Sequence, residues 1–253
     1  ITASNPCSEY LHLDNSACNL ASLNLLSFLN ADQNDRFDVE GFCQAIRVVF
    51  TAQDILVGNA DYPTEEIGQT SRDFRQLGLG YTNLGAMLMA LGLAYNSKEA
   101  RAWTGAVTAL MTGQAYSTSA DLAQRVGAFS GYATNRIPMQ DVLRRHRQAL
   151  GTVPDTAPEE VIHAAKELWD RAVSGCEKHG IRNSQSTVIA PTGTISFMMD
   201  CDTTGIEPDL GLVKFKKLVG GGDLTIVNRT LGRALGRLGY PTGEIEDIEA
   251  YVL

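Results

Sequence analysis

The sequence predicts an α/β protein, and three observations carry that expectation. Long segments with apolar residues at helical spacing recur along the chain, short β-prone segments lie between them, and glycine or proline marks the joints. The chain has 253 residues, 44% of them hydrophobic, which suffices for one large core or two small ones.

Each element follows from its own pattern. Phe37 to Asn59 sets Phe42, Ala45, Ile46, Val49, Phe50 and Ile55 at helical spacing, predicting an amphipathic helix in which Cys43 is simply packed. Leu77 to Tyr81 predicts a buried strand or turn, and Leu84 to Leu91 a helix that ends near Gly92. Ser97 stands as the N-cap of a helix beginning at Lys98, and "PMQDVLRRHRQAL" predicts another with Pro138 in its first turn. "PEEVIHAAKELWDRAVSGCEKHG" predicts a further helix, acidic at its start, with Lys178 and His179 before Gly180 as the helix macrodipole favours. Cys176, late on it, reads as structural. Ser186 to Ala190 is short and β-prone, Pro191 stops it, and a helical turn is expected from Ile195 to Met199.

"GLGYTNLG" starts like a dinucleotide fingerprint, but Asn83 stands where the third glycine belongs and Gly85 comes two residues late. Helix packing explains these glycines better than a nicotinamide cofactor does.

Composition excludes several classes of function. Lys+Arg of 21 against Asp+Glu of 29 leaves a net charge of −8, which argues against a nucleic-acid partner. No run of 18 apolar residues and no export-signal pattern is present, so neither membrane insertion nor secretion is expected and the expected compartment is the cytoplasm. The five cysteines, Cys7, Cys18, Cys43, Cys176 and Cys201, are odd in number and lack CxxC spacing, which disfavours a disulfide framework and a zinc site. No metal ligands are expected, and free or redox-active thiols remain.

Two constellations carry chemistry. Asn5, Cys7 and Glu9 alternate with Pro6 and Ser8, so an extended backbone would turn an amide, a thiol and a carboxylate to one face. A carboxylate can move a proton, an amide can orient a hydroxyl, and a thiol can act as nucleophile or give up its hydrogen atom. Only His12 is near enough in sequence to raise a thiolate, so nucleophilic catalysis is poorly equipped. Three unrelated residues in a terminal arm is the plainer alternative. The second constellation is Pro191, Thr192, Gly193, Thr194, Ile195 and Ser196, where glycine permits close approach and hydroxyls and helix-start N–H groups suit an anion. An ordinary strand-to-helix cap is the alternative there. Lys214, Lys216 and Lys217 could add charge nearby, although surface solvation explains them as well.

"NPCSEY…ACNLASLNL" resembles the active-site loop of ribonucleotide reductases, and "APTGTISFMMDCDTTGIEPDLGLVKFKKLVGGG" resembles their phosphate-binding turn and the segment after it, in the style of the vitamin B12-dependent class II enzymes. "RQLGLGYTNLGAMLMALGLAYNSKEAR" is also similar to that family, so the resemblance runs through most of the chain. It implies a part of a ten-stranded α/β barrel forming a single catalytic domain over 1–253, with a finger loop at 1–25 and a phosphate-binding turn at 190–197. It further implies a thiyl radical on Cys7 that takes hydrogen from C3′ of the substrate ribose, proton transfer by Glu9, and positioning of the ribose hydroxyls by Asn5. Cys18 becomes one of two reducing thiols, and Pro191 to Ser196 hold the substrate's phosphates. The implied cofactor is adenosylcobalamin, bound largely outside this chain. The implied partners are a ribonucleoside diphosphate or triphosphate, the missing N-terminal half of the reductase, a thioredoxin-like reductant and a second subunit of a homodimer. The expected activity is reduction of ribonucleotides to deoxyribonucleotides for DNA synthesis and repair, the fragment alone being inactive. A non-catalytic nucleotide-binding or structural piece of a split reductase, and a piece of a class I large subunit, are the alternatives.

Overall fold

The structure is a computed structural model that describes residues 2–30 and 35–252. The chain divides into two compact units, one of Ile1–Leu23, Asp38–Gly80 and Ala102–Ala190, the other of Asn24–Phe37, Tyr81–Arg101 and Pro191–Leu253.

The first unit is mostly helical. A short hairpin pairs β1 (Ala3–Ser4) with β2 (Leu11–His12) antiparallel, Ala3 opposite His12 and Ser4 opposite Leu11. Then come β3 (Leu20–Asn24), α1 (Val39–Asn59) and α2 (Glu65–Phe74). Asp38 caps α1 by accepting from Gly41 N–H at 2.9 Å, and Phe42, Ile46, Phe50 and Val57 turn one stripe into the core, as the periodicity requires. Thr64 caps α2 in the same way, accepting from Ile67 N–H. The long helices are α4 (Lys98–Val126), α5 (Tyr132–Ala149) and α6 (Glu159–His179). Trp169 of α6 is buried, stacks on His146 of α5, and donates its indole N–H to the Ala109 carbonyl of α4 at 3.0 Å.

Helix α5 begins six residues before the expected start, so Pro138 lies inside it and not in its first turn. The ring removes one N–H, but Thr134, whose carbonyl loses that partner, is exposed and water can serve it. The prolyl pattern was the stronger local signal, and Gly131, the actual N-cap, was the weaker one.

Strand β6 (Gly78–Thr82) is buried along its whole length, and β3 is its sheet neighbour. On the other side Leu79 bridges in parallel to Thr187: Leu79 N–H donates to the Ser186 carbonyl at 3.1 Å and Val188 N–H to the Leu79 carbonyl at 3.1 Å. The β-prone run Ser186 to Ala190 thus pairs at one bridge without becoming a full strand. Gly80 is required here, because a Cβ would stand 2.4 Å from the Val188 carbonyl oxygen. Backbone approach, more than helix packing, accounts for this glycine of "GLGYTNLG". In the same unit Asp54 joins Arg75 at 2.8 Å and accepts from Asn183 at 2.9 Å, a buried charge pair that is also hydrogen-bonded.

The second unit holds the hairpin of β4 (Leu29–Asn30) and β5 (Arg36–Phe37), helices α3 (Leu84–Ala90), α7 (Ile195–Met198), α8 (Leu231–Arg237) and α9 (Thr242–Val252), and the hairpin of β7 (Val213–Lys217) with β8 (Asp223–Val227). Gly220, Gly221 and Gly222, all at positive φ, turn that last hairpin. The sheets are small, and no set of the described strands closes into a barrel.

Candidate functional site

In the first unit the Asn5–Cys7–Glu9 stretch is a hairpin tip and not an extended strand, which corrects the alternation argument. Residues 5–10 join β1 to β2, Ser8 N–H donates to the Asn5 carbonyl at 3.1 Å, and Ser8 takes a left-handed φ of 62°. Asn5 closes the tip: its N–H donates to the Tyr10 carbonyl and its Oδ1 accepts from Tyr10 N–H, both at 3.1 Å. Its Nδ2 has no acceptor among the described residues and remains able to donate to a ligand. Cys7 is exposed at the tip.

Glu9 lies partly buried, and its Oε2 is buried with no hydrogen-bond partner among the described residues. Cys18 is an exposed free thiol whose pKa is pushed up, first by burial of the sulfur's inner side and then by the negative charge of Glu9. Cys18 therefore lies within reach of the Glu9 charge, although nine positions separate them. Tyr10, fully buried with an unpaired hydroxyl, completes the group; burial and then Cys18 raise its pKa. Its ring stacks on His12 at 4.8 Å, and His12 Nδ1 lies 2.8 Å from Ser16 Oγ. Tyr10 was missed from the sequence, where nothing distinguishes it from any core aromatic.

In the second unit, Pro191 to Ser196 form a turn into α7. Thr192 holds a positive φ of 53°, rare for a β-branched residue, and its hydroxyl is the reason the strain is tolerated. Thr192 Oγ1 meets Thr82 Oγ1 at 2.7 Å and Ser196 Oγ at 3.0 Å, and accepts from Gly205 N–H at 2.8 Å. Thr82 Oγ1 also reaches Ser196 Oγ at 3.1 Å and accepts from Gly205 N–H at 3.0 Å. Two of the three hydroxyls expected to face an anion, those of Thr192 and Ser196, are instead buried and mutually satisfied, and that of Thr194 is exposed. What the turn otherwise leaves outward is backbone: Gly193, Thr194 and Ile195 are exposed, and their N–H groups have no acceptor among the described residues. Nothing lies within 4 Å of a Cβ built on Gly193. Consecutive unpaired N–H groups of this kind make a concave anion site.

Thr82 is a second residue the sequence did not disclose, since it lies 110 positions before its partner. Asn83, at φ 67°, accepts from Thr203 N–H at 3.0 Å and donates to Asn24 Oδ1 at 2.9 Å, fixing the loop that brings Gly205 to the hydroxyls. Among the lysines, Lys214 is no surface charge: its ammonium bonds Asp209 at 2.8 Å and the Asp202 carbonyl. Lys216 lies 3.9 Å over the Phe197 ring.

No described helix is long and apolar enough to cross a membrane, and the described residues contain no group of metal-ligating side chains. The family model for the ribonucleotide reductase barrel domain matches residues 1–252. A protein of Rhodopirellula baltica named vitamin B12-dependent ribonucleotide reductase is 55% identical over 252 residues, covering 100% of this chain and 24% of its own length. One of Streptomyces avermitilis with the same name is 54% identical, covering 100% of this chain and 27% of its own. A ribonucleoside-diphosphate reductase subunit alpha of Chlamydia pneumoniae is 29% identical over 98% of this chain. The chain spans about a quarter of the length of the curated relatives it matches. With its whole described length matched by that one model, the chain belongs to the ribonucleotide reductase family, within its barrel domain.

Proposed function

We propose that the polypeptide containing this chain reduces ribonucleotides to 2′-deoxyribonucleotides by radical chemistry centred on Cys7, within a ten-stranded barrel of which both units are part. The observation that carries the reading is the hairpin tip of the first unit, where Cys7 stands open, a Glu9 carboxylate oxygen is buried without a partner, and Cys18 lies within reach of the Glu9 charge.

Each step uses a group with the right capacity. A thiyl radical on Cys7 takes the hydrogen atom from C3′, re-forming the S–H bond and leaving a carbon radical. Glu9, with an unpaired carboxylate oxygen, accepts the proton of the 3′-hydroxyl as the 2′-hydroxyl, protonated by a reducing thiol, leaves as water. Asn5, whose Oδ1 is held by Tyr10 N–H, offers Nδ2 to the ribose hydroxyls and keeps them in register. Cys18 and a second thiol elsewhere in the polypeptide supply two electrons and two hydrogens, one leaving with the water and the other forming the new C2′–H bond, and become a disulfide; Glu9 then returns its proton to the 3′ oxygen and Cys7 its hydrogen atom to C3′. The raised pKa of Cys18 suits this role, because it holds the sulfur as a thiol with a hydrogen to give. The open N–H groups of Gly193, Thr194 and Ile195 hold the substrate's phosphates, with Pro191, Thr192 and Ser196 shaping the turn.

Adenosylcobalamin, when bound, supplies the radical that oxidises Cys7 in enzymes named as the relatives are. We place most of its site on the rest of the polypeptide, since this chain spans about a quarter of the length of those relatives. A thioredoxin-like reductant and a homodimer complete the proposal.

The test is product formation by the full-length polypeptide, supplied with adenosylcobalamin and a dithiol and offered ribonucleoside diphosphates and triphosphates in turn. Deoxyribonucleotide should appear over many turnovers and vanish in both Cys7→Ser and Cys18→Ser, the second variant alone still forming the radical and entering an abortive cycle. Sustained turnover by Cys7→Ser would overturn the radical reading, since a serine O–H bond is too strong for the same relay.

A further inference from the structure

The hairpin of β7 and β8 in the second unit is a two-stranded sheet, so both of its outer edges are open among the described strands. Its register fixes where each backbone group points. Leu218 N–H donates to the Gly222 carbonyl at 3.0 Å, and Asn228 N–H to the Leu212 carbonyl at 2.8 Å, at the two ends of the ladder. With Lys216 opposite Leu224 and Lys214 opposite Ile226, these two are the bonded pairs between those ends. Asp223, Thr225 and Val227 alternate with them and turn N–H and C=O away from β7. None of those outward groups has a hydrogen-bond partner among the described residues. Val213, Phe215 and Lys217 form the corresponding edge of β7.

The two edges are not alike. β7 carries Lys214, Lys216 and Lys217 among its five residues, a device by which sheets resist a further strand. β8 reads Asp-Leu-Thr-Ile-Val, with one charge at its start, and Leu224 is 42% exposed. A groove of about 320 Å³ borders it, lined by Leu224, Thr225, Ile226 and Val227 together with Phe197 and Arg229. Successive side chains of a strand point to opposite faces, so a groove lined by four consecutive residues reaches the strand's edge and not one face alone. No residue of β7 lines it, so the edge is the one away from β7. The strand without lysines is the one with room beside it.

We propose that β8 accepts an extended segment of the same polypeptide as a third strand of this sheet. Such a segment offers N–H and C=O groups to Asp223, Thr225 and Val227, and its side chains are apolar or β-branched across from Leu224 and Ile226 and basic across from Asp223. The rest of the polypeptide supplies it, because this chain spans 24% of one relative's length and 27% of another's. A tethered segment acts at an effective concentration on the order of millimolar, which a second copy in dilute solution does not match. The inference goes beyond the proposed reaction and uses none of the residues assigned to it, so its failure would leave that reading untouched.

The experiment is amide hydrogen exchange on the purified full-length polypeptide, read residue by residue by mass spectrometry with electron-transfer fragmentation. Leu224 and Ile226 N–H groups are held by β7 in any case and should exchange slowly. With a third strand, Thr225 and Val227 should exchange within about tenfold of them; without one they should be about a hundredfold faster or more, an alternating pattern that overturns the proposal. Protection should be unchanged on dilution; protection lost on dilution assigns the edge to a second copy and overturns the proposal too. Thr225→Pro removes an outward N–H and none of the hairpin's own bonds. It should free Val227 and leave Leu224 and Ile226 slow, whereas a Val227 that stays slow counts against a third strand. If the hairpin itself opens in that variant, the wild-type pattern decides alone. Benzoylphenylalanine placed at position 224 should photo-cross-link to a peptide of the same polypeptide outside residues 1–253, and the lack of any such cross-link overturns the proposal.

Discussion

The hairpin tip around Cys7 in the first unit and the turn around Thr192 in the second are both short loops, and they present opposite parts of the chain. The tip is closed by backbone and by one amide oxygen, so its thiol and carboxylate are left unused by the fold. The turn consumes the Thr192 and Ser196 hydroxyls in a buried network with Thr82 and leaves backbone N–H groups outward. In the proposed function the difference matches what each loop handles. Hydrogen atoms and protons are moved by particular side-chain groups. A phosphate carries diffuse charge, and several fixed N–H dipoles meet it without the cost of ordering a side chain.

If the contrast is right, changes at the tip should remove chemistry and leave the fold alone, and changes inside the turn should do the reverse. The largest effect is expected from Glu9→Gln. Turnover of the full-length polypeptide should fall by about 10²–10⁴, the range for loss of a general acid–base. The melting temperature should hold or rise, since a buried carboxylate oxygen without a partner is replaced by a neutral amide. A large drop in stability would make Glu9 structural and end the contrast.

Thr192→Val comes next, on the other side. It keeps the shape but removes the hydroxyl shared by Thr82, Ser196 and Gly205 N–H, and should cost about 1–3 kcal/mol in denaturant unfolding. Thr82→Val should cost a similar amount, and the double variant less than the sum, because the two hydroxyls share partners. Additive losses would mean that the network is not one unit.

Gly193→Val sharpens the comparison. Its Cβ meets nothing within 4 Å, and its φ is not in the left-handed range, so the fold should be unaffected. Affinity for the nucleotide, measured by calorimetry, should nonetheless fall by roughly tenfold or more, as charge-assisted bonds to the N–H groups are crowded out. Unchanged affinity in a folded variant would reduce the turn to a helix cap.

The smallest expected effect is a shift in the pH dependence of Cys18 alkylation by iodoacetamide, followed by peptide mass. Burial and the charge of Glu9 both oppose the thiolate, so half-maximal reactivity should lie above that of an ordinary thiol. In Glu9→Gln it should move to lower pH and stay above the ordinary value, because burial, the larger cause, remains. An unmoved profile would show that the carboxylate does not face the sulfur.

The sequence by itself determined the local elements and the residue types of both loops. Helix α1 follows from the spacing of Phe42, Ile46 and Phe50, and α6 from its acidic start and its basic residues before Gly180, since helix signals are carried by residues three or four apart. Asn5, Cys7, Glu9 and Gly193 stood out because their chemistry is visible without coordinates. Only the tertiary structure decided how those groups are used. Cys18 comes within reach of the Glu9 charge, nine positions away, through the fold and not through the spacing. Thr192 and Ser196 turn inward because Thr82, more than a hundred residues earlier, and Gly205 complete their hydrogen bonds. A hydroxyl has no preferred partner in the sequence; it is satisfied by whichever buried polar group the fold brings within about 3 Å, and that proximity is a property of the packed chain alone.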